Sequence, residues 1–177
     1  MNLKNRALEE LQIKTNKKVK NANEIVYDNI IFKSNLELFC YKLLKAEKIN
    51  FKYNEETCTL YQGCNLKKVI YYYSDKKNKN LKCIKDKKSG LRESIRPITY
   101  TPDFCIEIMT KSGIIAIFIE TKGFSNDVYP YKRKLFFDAM ERQVYHEKVY
   151  FFEPRNKIQV VNAIDIITKI INDENDR

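Results

Sequence analysis

The sequence predicts an α/β fold, a mixed β-sheet flanked by helices with elements in the order α-β-β-β-α-β-α. Three observations predict it. Residues 35–48 carry a helical period, residues 98–109 and 114–122 read as two strands around a tight turn, and residues 131–171 run helix, strand, helix. Elements in that order imply one sheet covered by its helices.

Taken in order, residues 3–23 are polar and Lys-rich, with a short amphipathic stretch at Ala7, Leu8 and Leu11. They read as a basic N-terminal arm or a short helix. Within 35–48, Leu36, Phe39, Cys40, Leu43 and Leu44 recur at i, i+3, i+4, i+7 and i+8, and Ser34 supplies an N-cap. Strand-like runs follow at 51–61 and 69–73. Residues 75–96 hold seven Lys and two Arg against three acids, the composition of an exposed loop or of an insertion between strands. A helix is expected over 131–146, with Leu135, Phe136, Ala139, Met140 and Val144 on one face. A buried strand is expected at 149–153, and Asn162 is expected to cap a last helix carrying Ile164, Ile167, Ile170 and Ile171.

A chain of 177 residues, 44% hydrophobic and 32% charged, suits a single domain over 1–177 that buries a core without disulfides. No apolar run approaches the roughly 20 residues of a membrane span, and the first residues lack the apolar centre of a signal peptide. The expectation is a cytoplasmic protein with no membrane partner. Five cysteines, none in a C-x-x-C pair, and one histidine, His146, make a poor zinc set. A site on Cys58, Cys64 and Cys83 lacks a convincing fourth ligand, so reduced thiols are the better reading. Lys and Arg outnumber Asp and Glu by 33 to 23, a net charge of +10. A field of that sign attracts polyanions, of which nucleic acid is the commonest. A Lys-rich composition dictated by an AT-rich genome would give the same charge, and both readings stand at this point.

The informative stretch is Tyr100-Thr101-Pro102-Asp103-Phe104, followed by Ile119-Glu120-Thr121-Lys122-Gly123. If the strands join through a two-residue turn at Lys111-Ser112, Phe104, Ile106, Ile108, Ile115, Ile117 and Ile119 share one apolar face, because side chains alternate along a strand. The other face then sets Asp103 opposite Glu120, with Lys122 two residues on. Cross-strand neighbours lie about 5 Å apart at Cβ. A three-residue turn through Gly113 is the alternative. It would put Glu120 on the apolar face without a partner, which is costly, so the first register is preferred.

Two adjacent carboxylates repel unless a cation lies between them, and hard oxygen ligands favour Mg²⁺ or Mn²⁺. A metal held there can bind a phosphate oxygen and lower the pKa of a water for phosphodiester cleavage. Lys122 can orient or deprotonate that water, or stabilise charge in the transition state. A surface Asp–Lys pair at a strand end is the plainer reading of the same residues. Glu37 also has two readings: Ser34-x-x-Glu37 is a complete capping box, and the same carboxylate can reach a metal from the helix.

With these residues in view, the chain resembles the PD-(D/E)XK nucleases, and among them phage endonuclease I, a family of Holliday-junction resolvases. The resemblance runs through Phe32–Glu37, Lys48–Glu56, Thr99–Phe104 and Phe118–Gly123, in that order. It covers about residues 30–125, interrupted by an insertion at roughly 62–96. It is also similar to small phage nucleases in which a basic segment follows the motif, here Lys132-Arg133-Lys134-Leu135-Phe136. The resemblance implies a restriction-endonuclease-like αβββαβ core, Mg²⁺ (or Mn²⁺), and DNA as substrate. It further implies catalytic matches at Glu37, Asp103, Glu120 and Lys122, with Asp103, Glu120 and Glu37 on the metal. Glu55 or Glu56 falls near a further family glutamate. The insertion and the Ile-rich C-terminal half have no counterpart in endonuclease I.

The expected function is therefore a metal-dependent DNA endonuclease, acting on branched or junction DNA in the cytoplasm of a host cell if the chain is phage-encoded. The alternative is a non-catalytic or virion-associated DNA-binding module that retains the fold. DNA is expected to contact Lys76, Lys77, Lys79, Lys87 and Lys88 in the insertion, and Lys132, Arg133 and Lys134. Symmetric cutting of a junction needs two sites, so a homodimer is expected, with the apolar strands at 69–73 and 114–119 as interface or as core.

Overall fold

The computed structural model describes residues 24–66, 68–70, 72–74, 81–83, 94–111, 113–122 and 128–175. The N-terminal arm and Lys76, Lys77, Lys79, Lys87 and Lys88 lie outside the described residues, as does Gly123. Before the hairpin the chain forms β1 (Ile25–Tyr27), β2 (Ile30–Phe32), helix α1 (Asn35–Ala46), β3 (Lys52–Tyr53) and β4 (Cys58–Tyr61). The short strands β5 (Cys64–Asn65), β6 (Tyr72–Ser74), β7 (Leu81–Cys83), β8 (Ser94–Ile95) and β9 (Ile98–Tyr100) follow. Then come β10 (Phe104–Met109), β11 (Ile114–Ile119), α2 (Tyr129–Glu141), β12 (His146–Phe152) and α3 (Lys157–Asn175).

The central sheet has the order β12-β11-β10-β3 and is mixed. β10 is antiparallel to β11 and to β3, and β11 is parallel to β12. A parallel neighbour cannot be reached through a tight turn, and α2 lies in the crossover between β11 and β12. The hairpin register is the expected one, running from Phe104 opposite Ile119 to Met109 opposite Ile114. Thr110 N–H donates to the Gly113 carbonyl at 2.9 Å, and Gly113 N–H returns a bond to Thr110 Oγ1 at 3.0 Å. Those bonds fix two residues in the turn, and with them which face every side chain takes.

One face carries Phe104, Ile106, Ile115, Ile117 and Ile119 into a core shared with Cys40 and Leu44 of α1 and with Val160, Ile164 and Ile167 of α3. Each such buried side chain is worth about 1.5–3 kcal/mol, so a one-residue slip is heavily disfavoured. The opposite face is apolar as well along most of its length. Cys105, Ala116 and Phe118 pack there against Phe136 and Met140 of α2, with Leu60 and Tyr100 from the β4–β9 pair. The acids occupy only its end.

Several elements depart from expectation, each for a local reason. The strand expected over 51–61 is broken at Asn54, whose φ of 55° turns the chain. The strand expected at 69–73 begins only at Tyr72, and the expected loop over 75–96 contains β7, paired with β6, and β8, paired with β5. Helix α2 starts two residues earlier than expected, with Pro130 in its first turn, and ends at Glu141. Val144, expected on its buried face, is fully exposed, because the chain must already turn for His146 to pair beside Ile114. Asn156, not Asn162, caps α3: its Oδ1 accepts from Gln159 N–H at 3.0 Å, and Asn162 lies inside the helix.

The strand Ile114–Ile119 is interior to the sheet and belongs to the core, not to an interface. Cys40, Cys58, Cys64 and Cys105 are free thiols. Among the described residues, no helix is long and apolar enough to cross a membrane.

Candidate active site

The site grows from the end of the β10–β11 hairpin. Pro102 has no N–H to give to a ladder, and the paired strands stop at Phe104 and Ile119. Beyond that point Glu120 N–H and Lys122 N–H continue toward β12, donating to the carbonyls of Phe152 at 2.9 Å and Pro154 at 3.1 Å. Thr121 N–H faces the other way, where no backbone acceptor remains. The Asp103 carboxylate fills that place: its Oδ2 accepts from Thr121 N–H and from Thr121 Oγ1, both at 2.8 Å. Asp103 is thereby fixed at the sheet end, one pair outward from Phe104–Ile119, opposite Glu120.

Burial makes this cluster unusual. The buried polar side chains among the described residues are Glu37, Asp103, Glu120 and Thr121, and three of these four are expected site residues. Asp103 has its carboxyl pushed up to about 7, first by burial, then by the negative charges of Glu120 and Glu37, with the Thr121 hydrogen bonds pulling the other way. Like charges gathered in low dielectric act in this direction.

Glu120 is 3% exposed. Its Oε1 pairs with Lys122 Nζ at 2.5 Å, while its Oε2 is buried with no hydrogen-bond partner. Lys122 is partly open to solvent, and its Nζ stands 4.6 Å from the centre of the Tyr129 ring. Tyr129 donates its hydroxyl to Glu153 Oε2 at 3.0 Å, so the aromatic platform under Lys122 is itself anchored. The Tyr100 ring packs against Tyr129 and Phe136, and burial, then the Glu120 charge and the hydroxyl's closeness to Glu120 and Tyr129, raise its phenol.

Glu37 is committed to the capping box. Ser34 Oγ donates to its Oε1 at 3.2 Å, Lys33 N–H to its Oε2 at 3.0 Å, and Glu37 N–H donates back to Ser34 Oγ at 3.1 Å. Tyr53 adds a hydroxyl bond to Oε2 at 2.8 Å. Tyr53 pairs with Phe104 across the sheet edge, and burial and the charges of Glu37 and Asp103 raise its phenol. Glu37 therefore belongs to the electrostatic surroundings of Asp103 with both oxygens engaged. Among the described residues, no group of three or more His, Cys, Asp or Glu side chains is placed to hold an ion. The pair with capacity to spare is Asp103 and Glu120.

Other expected residues lie apart from this pair. Glu56 is bound to Lys52 at 2.5 Å, and Lys52 also reaches Glu107 at 3.2 Å. In the basic segment on α2, Arg133 pairs with Glu153 at 2.5 Å, and Lys132 Nζ donates to the Thr99 carbonyl at 3.1 Å. Arg133 thus spends its charge inside the protein, and Lys134 points outward. The sequence reading overlooked Thr121, Tyr53, Tyr100, Tyr129 and Glu153. Thr121 and Tyr100 carried a signal by lying within the two motif segments, and Tyr53 by lying within the resembling segment Lys48–Glu56. Compared with family models, curated proteins and solved structures, the chain finds no match.

Proposed function

We propose that this protein is a metal-dependent DNA endonuclease whose site is the Asp103–Glu120 pair with Lys122. The observation that carries the reading is the buried carboxylate cluster: Asp103 raised by burial and then by the charges of Glu120 and Glu37, and Glu120 Oε2 buried without a partner. Carboxylate oxygens are hard donors, and Mg²⁺ commonly takes one or two carboxylates while keeping several waters and substrate phosphates. Asp103 and Glu120 fit that demand without a third acid, so Glu37 is assigned to positioning and electrostatics and not to the metal. The element order α1-β3-β10-β11-α2-β12 around one mixed sheet supports a restriction-endonuclease-like αβββαβ core.

Bound there, Mg²⁺ or Mn²⁺ supplies Lewis-acid activation of a water and of a phosphate oxygen. The chain's own residues do the remaining work. Asp103 is held still by Thr121, and Glu120 presents Oε2. Lys122 shields Glu120 in the free protein, and on substrate binding its ammonium is available to orient the attacking water or to neutralise charge building on the phosphate. The net charge of +10 favours a polyanionic substrate. Branched DNA as the preferred substrate extends the same reading. It requires two copies of the site related by a two-fold axis, for which the exposed Val69, Ile70 and Tyr72 offer apolar surface.

Incubation with supercoiled plasmid in Mg²⁺ or EDTA tests the reading. Nicked or linear product in Mg²⁺ and none in EDTA is expected. DNA binding without product in Mg²⁺ or Mn²⁺ would turn the assignment to a binding module. A four-way junction cut in preference to an equal-length duplex would support the branched-DNA extension, and equal cutting would remove it.

A further inference from the structure

Beyond Lys122 the site is bordered by cations gathered around one carboxylate. Glu153 lies just past β12 at the same end of the sheet as Glu120, because Lys122 N–H donates to the carbonyl of the next residue, Pro154, at 3.1 Å. The parallel strands β11 and β12 both end here, and ligands of open α/β sheets bind beyond the carboxyl ends of such strands. Three groups converge on Glu153. Tyr129 donates its hydroxyl to Oε2 at 3.0 Å, Arg133 pairs with Oε2 at 2.5 Å, and Arg155 Nη2 donates to Oε1 at 2.6 Å. Burial alone would raise the Glu153 carboxyl, and the bonds from Arg133, Arg155 and Tyr129 outweigh it and hold it below its ordinary value. Two guanidiniums thus share one carboxylate, which leaves one positive charge unmatched beside the site.

The two arginines differ in what they can still reach. Arg133 is the more enclosed, with Nε buried and Cζ 5.8 Å from the centre of the Tyr129 ring that also carries Lys122. The Arg155 side chain is 53% exposed, and its backbone N–H is tied to Gln159 Oε1 at 2.7 Å. A guanidinium offers five N–H donors, and Arg155 meets Glu153 through Nη2, so donors remain for a second oxyanion. A planar fork already held in place suits phosphate, since little freedom is lost when it binds.

We propose that Arg155 is a substrate-binding residue whose guanidinium seats a DNA backbone phosphate flanking the one at Asp103 and Glu120. Arg133 balances the charge of Glu153, and Glu153 holds the Arg155 fork in place. The proposal rests on the reading of DNA as substrate.

Arg155→Gln and Arg142→Gln form a matched pair for the test. Each removes one exposed arginine that pairs with a carboxylate. Arg142, bound to Asp138, caps the far end of α2, roughly 20 Å from Tyr129 along the helix axis. Exposed ion pairs contribute little to stability, so both variants keep the fold. DNA affinity is measured in EDTA across a salt series, on two duplexes of unrelated sequence. Arg155→Gln is expected to flatten the slope of log affinity against log salt by about 0.9. The change should be equal on both duplexes, because a phosphate contact carries no base information. Arg142→Gln is expected to keep the wild-type slope. An unchanged slope in Arg155→Gln, or equal flattening in the two variants, would overturn the phosphate seat and leave the nuclease reading intact. Flattening confined to Arg155→Gln, in a protein that cuts nothing in Mg²⁺, would support this inference and remove the nuclease reading. Wild-type protein that binds no DNA overturns both.

Discussion

Asp103→Asn and Glu120→Gln are each expected to lower Mg²⁺-dependent cleavage by at least about 10³-fold, near 4 kcal/mol of transition-state stabilisation. Both substitutions keep the shape of the side chain and remove the charge a hard cation needs. Asn at 103 can still accept from Thr121 N–H and Oγ1, the two bonds that fix Asp103, so the end of the hairpin should stay folded. DNA affinity measured in EDTA should change little, because it draws on the net positive charge and not on this acidic pair. Plasmid cleavage time courses check the first part and filter binding the second. Either variant cutting at the wild-type rate would move the site elsewhere.

Lys122→Ala is the second large effect. Its ammonium is 2.5 Å from Glu120 Oε1 and 4.6 Å from the Tyr129 ring centre, a place where one fixed charge meets the substrate. Loss of a single preorganised charge or donor at a reacting centre typically costs about 10²–10³-fold in turnover, and that is the expected fall in single-turnover rate. Lys122→Arg should recover only part of it. A guanidinium is planar, stays protonated and reaches differently from a compact ammonium, and it must share the space above Tyr129. Full activity in Lys122→Ala would confine Lys122 to neutralising Glu120 in the free protein.

The hairpin was readable from sequence because one register gathers the isoleucines of both strands on a single face, while the alternative turn leaves Glu120 on that face without a partner. The same register sets Asp103 opposite Glu120. The end of α2 was not readable. Val144 continues the helical spacing of Phe136 and Met140, and what stops the helix is the pairing of His146 with Ile114, more than 30 positions away in the chain. Asn156 and Asn162 are equally good caps by residue type, and the choice rests on the bond from Gln159. Arg133 looked like a phosphate contact because its partner, Glu153, is brought to it only when β12 docks beside β11. Glu37 illustrates a different limit. Its capping box and its approach to Asp103 were both open, and the structure holds it in the cap with its charge still acting on Asp103.

The central claim is that Asp103 and Glu120 are repelling buried carboxylates which a divalent cation reconciles, and thermal unfolding across pH 5–8, with EDTA or Mg²⁺, tests it most directly. Asp103 is raised from its ordinary 3.8 to about 7. A raised carboxyl favours the fold while protonated, so its contribution is present at low pH and is lost as pH rises through about 7. Glu120, Glu37, Tyr53, Cys40 and Lys122 are the charged or titrating groups around it, and His146, lowered by burial, shifts stability in the opposite sense in the same range. Comparison with Asp103→Asn removes the His146 contribution, since both proteins carry it. In EDTA the wild type should lose stability relative to Asp103→Asn as pH rises, and Mg²⁺ should restore it at pH 8 in the wild type but not in the variant. Parallel curves for the two proteins, or an Mg²⁺ shift of the same size in both, would contradict the account.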